Sequence, residues 1–340
     1  VAITELYVDP SIAADSGAGT VGDPYGDLEY CIEQETFDLT NGTRVNIKAG
    51  TDEVLAADLV TACQDTSVSV AWAPTEAAPL VFRGYTSAAG DGGIGGISGG
   101  GSVPVFGTSS STYRNMSFVD LHLHNCGTGY ILDLDNNCYV ERCELDNTTG
   151  GAIRVAVACA VKGCYVHNIG AIAIDAPNAQ VTYCYIADGT NTCTTAIASA
   201  EVVDRNIIHL TGNGDGISSA DGRTLTNNSI YCEGGTGSGI NQASNSISNT
   251  LSNNLIQGFS GAGGIGVEFG TASGAKFYGG NAVYDCTTAY DTATHVQTGA
   301  QGDNETLSSS PFQDPANGDF RPVNTGNVRE GALPQDIAGQ

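Results

Sequence analysis

Between residues 113 and 293 the same pattern of side chains returns eight times. Aligned on Leu121, Cys143, Cys164, Cys184, Asn206, Asn228, Asn254 and Asn281, successive segments are separated by 22, 21, 20, 22, 22, 26 and 27 residues. Three residues before these anchors stand Phe118, Val140, Val161, Val181, Val203, Leu225, Leu251 and Tyr278. Two residues after them stand Leu123, Leu145, Val166, Ile186, Ile208, Ile230, Ile256 and Val283. A third apolar column reads Tyr130, Ile153, Ile172, Ile197, Ile217, Ile240, Ile265 and Tyr290. Between the columns lie glycine, asparagine, aspartate and threonine, the residues of bends.

Such a period is too short for two helices. Short alternating strands joined by bends at this interval predict a parallel β-solenoid, an all-β fold in which each repeat is one coil. Coils stack by strand pairing at about 4.8 Å, so eight of them predict a rod of roughly 40 Å and bring equivalent residues into register.

The segments LTNNSI, LSNNLI and VVDRNII resemble the repeats of the right-handed parallel β-helix, or pectate-lyase-like, superfamily. That resemblance implies a right-handed solenoid of about eight or more coils. It also implies that the asparagine occupies a tight bend, where its side chains stack into a ladder. Asparagine suits such a place because it tolerates left-handed backbone and bonds locally.

The expected organisation is one structural domain. Residues 1–60 supply an N-terminal strand, a capping helix and a first coil; 61–112 hold irregular early coils and a glycine-rich loop. Residues 113–293 form the regular β-helix, and 294–340 a C-terminal cap or tail resembling the closing segment of this superfamily. YVDPSIAADSGAGTVGDPYGDLEYCIEQ resembles the opening of many members of this superfamily, which implies a helix over about Tyr25–Glu35, with Leu28, Cys31 and Ile32 on one face. VSVAW, PLVFRGY and VPVFG are candidate early strands, and GDGGIGGISGGG reads as a loop or close-packed turn.

Acids outnumber bases 37 to 12, a formal net charge of −25, which disfavours nucleic acid and anionic membrane surfaces as partners. No apolar run is long enough to span a bilayer. The opening VAITELYVDP reads as a strand and lacks the form of a secretory signal, which favours synthesis in a cytoplasm. The eleven cysteines contain no CxxC pair and no zinc spacing with histidine. Most read as buried small hydrophobes, and Cys143, Cys164 and Cys184 as a reduced internal ladder.

The resemblance implies that any cleft lies on the outer face of the third-column strands, where enzymes of this superfamily carry theirs. The outward neighbours of that column read Arg154, Ala173, Ala198, Ser218, Asn241 and Gly266, with no carboxylate cluster. Asp133, Asp135, Asp215 and Asp221 could bind calcium through oxygen ligands, but they also suit bends and match no EF-hand loop. His122 and His124 flank Leu123 and point outward without a nucleophile motif; His167, His209 and His295 complete the histidines. Tyr165 and Tyr185 are expected to stack, and Glu141 to face Lys162. No catalytic, cofactor-binding or metal-binding residue is assigned on this reading.

The expected function is therefore non-catalytic: a structural component of a virus particle, such as a bacteriophage capsid-decorating, cement or fibre-like protein at the virion surface. Its partners would be other virion proteins or copies of itself, a homotrimer included. The competing expectation is an extracellular polysaccharide lyase, glycosidase or glycan-binding module.

Overall fold

The computed structural model describes residues 3–35, 38, 40–56, 59, 74–107, 114–219, 222–242, 249–269, 277–291 and 304–323. The chain divides into two compact units, Val1–Tyr165 and Val166–Gln340. Each is built as a parallel β-solenoid, so the expected fold class holds. VSVAW, Cys63, Asp221 and His295 lie outside the described residues.

In the first unit one sheet takes Thr4–Val8, Thr43–Lys48, Leu80–Tyr85, Met116–Val119, Tyr139–Glu141 and Ala160–Lys162 in chain order. A second takes Glu53–Val54, Gly95–Ser98, Leu121–His124 and Glu144–Thr148, and a third takes Tyr130–Leu134 and Gly151–Val155. The helix runs Leu28–Gln34, shorter than expected, because the Asp27 side chain accepts the Tyr30 amide and fixes the N-cap there. Its buried residues are Leu28, Cys31 and Ile32, the face expected.

GDGGIGGISGGG is not simply a loop: Gly95–Ser98 is a fully buried strand paired with Leu121–His124. Its glycines answer close approach. A Cβ on Gly95 would lie 2.5 Å from the Ile47 carbonyl oxygen, and one on Gly96 would lie 1.9 Å from Asp52 Oδ1. VPVFG forms no strand, but the Val105 and Phe106 amides both donate to the Ile131 carbonyl at 3.1 Å. Phe106 thereby reaches the core and meets Phe118 edge-on, while Phe82 stacks on Phe118 at 5.2 Å.

In the second unit the first sheet contains Gln180–Thr182, Val202–Asp204, Thr224–Thr226, Thr250–Ser252 and Phe277–Gly279. The second contains Tyr185–Ala187, Ile207–Leu210, Ser229–Cys232, Leu255–Gln257, Ala282–Tyr284 and Glu305–Thr306. The third contains Ile172–Asp175, Thr195–Ala198, Asp215–Ser218, Ser238–Gln242, Ile265–Phe269 and Thr288–Asp291. Beyond the last coil, Phe312–Asp314 and Asp319–Pro322 pair as a hairpin lying on the outside of the second sheet. Phe320 there contacts Tyr185, His209 and Tyr231.

The first two apolar columns pair in register as expected, within each unit, from Phe118↔Val140 to Ile256↔Val283. The third is corrected at three rows. Ile153 pairs with Leu132 and not Tyr130; Ile197 with Ile174 and not Ile172; Ile240 with Val267 and not Ile265. Each error is two residues, because YIL, IAI and IGV offer two apolar positions of the same parity and pattern alone cannot choose between them.

The bend is corrected as well. The left-handed residue is the one before the anchor, with φ between 51° and 69° at Asp120, Arg142, Gly163, Tyr183, Arg205, Asn227, Asn253 and Gly280. The anchors themselves point inward. Each buried asparagine Nδ2 of Asn206, Asn228, Asn254 and Asn281 donates to the Oδ1 of the next, the last to Asn304, at 2.9–3.0 Å. Each also donates to a main-chain carbonyl on the preceding coil, that of Val181, Val203, Leu225 or Leu251.

Sulfur fills the same role in the first unit. Cys143 Sγ lies 3.4 Å from the Phe118 carbonyl, and Cys164 Sγ 3.6 Å from that of Val140, both in the column that asparagine uses later. Cys143 Sγ also accepts the Leu121 amide, as asparagine Oδ1 accepts the anchor amide before it. Among the described residues all ten cysteines are free, and only Cys286 is not buried. Burial pushes the Cys143 thiol well up from its ordinary value.

Candidate functional site

Two outward faces gather polar groups, one in each unit. In the first unit the alternation of LHLH buries Leu121 and Leu123 and turns His122 and His124 to the same outer face. Parallel pairing places Gly96, His122 and Glu144 in one row, and Ser98, His124 and Asp146 in the next. Asp52 precedes Glu53, which pairs with Ile97, so it enters beside Gly96. Because Gly96 has no side chain, the Asp52 carboxylate can lie against the sheet.

The two imidazoles stack, with ring centroids 4.3 Å apart and planes 14° from parallel. His122 Nε2 donates to Asp146 Oδ1 at 3.0 Å, and His124 Nε2 donates to Asp52 Oδ2 at 3.1 Å. An ionised carboxylate only accepts, so the proton belongs to each ring nitrogen in these bonds. The bond to Asp146 raises the His122 pKa above its ordinary value, against the opposing effect of burial. One donor atom each from Asp52, His122 and His124 can be chosen so that all lie within 4.8 Å of one another. The serine nearest in register, Ser98, is 4% exposed and its Oγ accepts the Gly100 amide.

In the second unit the corrected register changes the outer face of the third sheet. The row after the apolar column reads Asp175, Ala198, Ser218, Asn241, Glu268 and Asp291, and Asp133 precedes Arg154 in the first unit. The expectation of a face without clustered carboxylates is overturned. Two positions before the column stands Asp215, whose Oδ1 accepts the Ser238 amide at 2.8 Å and whose Oδ2 accepts Asn241 Nδ2 at 2.9 Å. Ser238 Oγ donates to Glu268 Oε2 at 2.7 Å, so both carboxylates are held around Ser238.

The remaining candidates are engaged in the frame. Asp133 is held by Arg154 through Nε at 2.8 Å, and Asp135 by Arg114 at 3.3 Å. His209 donates to Glu233 at 2.9 Å beneath Phe320. Glu141 is in register with Lys162 and pairs with Arg142. Sequence reasoning found His122 and His124 but not Asp52. Seventy positions separate Asp52 from His122, and only the pairing of Glu53 with Ile97 signals their approach.

No protein-family model matches the chain, and no curated protein matches it. Among solved structures the chain is similar to the GH136 lacto-N-biosidase from Eubacterium ramulus at 10% sequence identity and a TM-score of 0.41, over 88% of this chain and 67% of that one.

Proposed function

We propose that the chain is a non-catalytic structural β-solenoid at the surface of a larger assembly, a virus particle in the first instance. The observation that carries this reading is where its few bases go. Arg44 pairs with Glu5, Lys48 with Asp9, Arg114 with Asp135, Arg142 with Asp120 and Arg154 with Asp133, each across neighbouring coils. These cations tie coil to coil, and an acidic glycan would have to strip them from their carboxylates. Exposed pairs of this kind contribute about 0–1 kcal/mol each, so their effect is to hold register more than to add stability.

Incubating the protein with pectate, polygalacturonate, alginate and neutral β-glycans should release neither unsaturated products nor reducing ends. Sustained turnover of any of them would overturn the structural reading.

A second reading, glycoside hydrolysis, is favoured by Asp215 and Glu268. They stand two coils apart and three positions out of line along the strands, and both reach toward Ser238 between them. Paired carboxylates are the acid and base of glycoside hydrolysis. On that reading Asp215→Asn and Glu268→Gln would each abolish whatever turnover is found.

A further inference from the structure

We propose that Asp52, His122 and His124 form a binding site for a divalent transition-metal ion of the zinc type.

Three observations converge. The donor set is two imidazoles and a carboxylate, with one donor atom from each mutually within 4.8 Å. Zinc holds such ligands at about 2.0–2.2 Å, so donors around one ion stand roughly 3.4 Å apart. All three residues sit on paired strands or directly beside one, so their backbones are held together where the donors meet.

The surroundings are also those of a ligating histidine. A metal-bound imidazole commonly gives its other nitrogen to a carboxylate, which fixes ring orientation and tautomer. His122 Nε2 already donates to Asp146 Oδ1 at 3.0 Å. The stacking of the two rings at 4.3 Å fixes their planes as well, and Gly96 leaves space for the Asp52 carboxylate.

The ligand types choose the ion. Imidazole nitrogen suits zinc, copper, nickel and iron, whereas calcium takes six to eight oxygens. Asp52 and Asp146 contact the imidazoles and Glu144 stands beside His122 in the pairing register, adding negative charge that favours a cation. Three protein ligands leave a fourth tetrahedral position for water, so the ion would be exchangeable.

The test uses the full chain, stripped with chelator and titrated with zinc chloride. One equivalent should bind, the thermal midpoint should rise with zinc concentration, and the imidazole resonances of His122 and His124 should shift in proportion to occupancy. The double variant His122→Ala/His124→Ala should bind at least a hundredfold more weakly, and Asp52→Asn about tenfold. All these positions face outward, and circular dichroism verifies that the variants fold.

The proposal is overturned by absence of saturable uptake. Undiminished uptake by the double variant would assign the metal to thiols and overturn it too. So would imidazole signals that stay fixed at full occupancy, or calcium binding at these residues in preference to zinc.

Discussion

Asn228 shows how much one side chain does in this fold. It is fully buried, donates to the Val203 carbonyl and to Asn254, and accepts both the main-chain and side-chain N–H of Asn206. Replacing it with alanine removes four hydrogen bonds and leaves buried partners on two coils unsatisfied. A buried polar group left unpaired costs about 1–3 kcal/mol, so Asn228→Ala should lose about 3 kcal/mol in denaturant unfolding. A thiol can stand at the same corner because it both donates and accepts, as Cys143 does between Phe118 and Leu121. The residue before the anchor carries the left-handed backbone instead. Arg142 occupies that place at φ 51°, where two bonds to Asp120 offset its conformational cost.

Among the elements, the third sheet and the terminal hairpin depart most from what the alternation of residues suggests. The third sheet slid by two residues at three rows: Tyr130, Ile172 and Ile265 are half-buried, and Leu132, Ile174 and Val267 take the buried column instead. Glu268 and Asp175 thereby replaced Gly266 and Ala173 on the outer face. Alternation fixes parity, whereas the bends between the second and third sheets vary in length and leave register to packing. The hairpin of Phe312–Pro322 is held chiefly by apolar contact: Phe312 and Phe320 pack with Ile207, Leu255 and Ala282. Truncating a buried phenylalanine costs about 3–5 kcal/mol. Phe320→Ala should therefore release the hairpin, read as protease cleavage near residues 312–322 under conditions where the coils stay intact.

For the molecule as a whole the dominant electrostatic fact is excess acid. If every one of the 12 bases neutralised a carboxylate, 25 of the 37 acids would still lack a cation. Salt weakens the ion pairs and the repulsion together, but the unpaired acids are the majority and repulsion prevails. Raising sodium chloride from about 0.05 to 0.5 M should lift the calorimetric midpoint by a few degrees at neutral pH. A falling midpoint would mean that the coil-to-coil pairs outweigh the repulsion.

The repeat by itself determined the fold class and the first two apolar columns. These follow from periodicity and alternation, which are local properties that the chain carries before any coil stacks. Tertiary structure decided the rest. Which of two apolar residues joins the third column depends on how each bend packs. Whether His122 and His124 meet a carboxylate depends on Asp52 returning beside Gly96. Neither outcome is written in the spacing of neighbouring residues, because both come from strand pairing between distant segments.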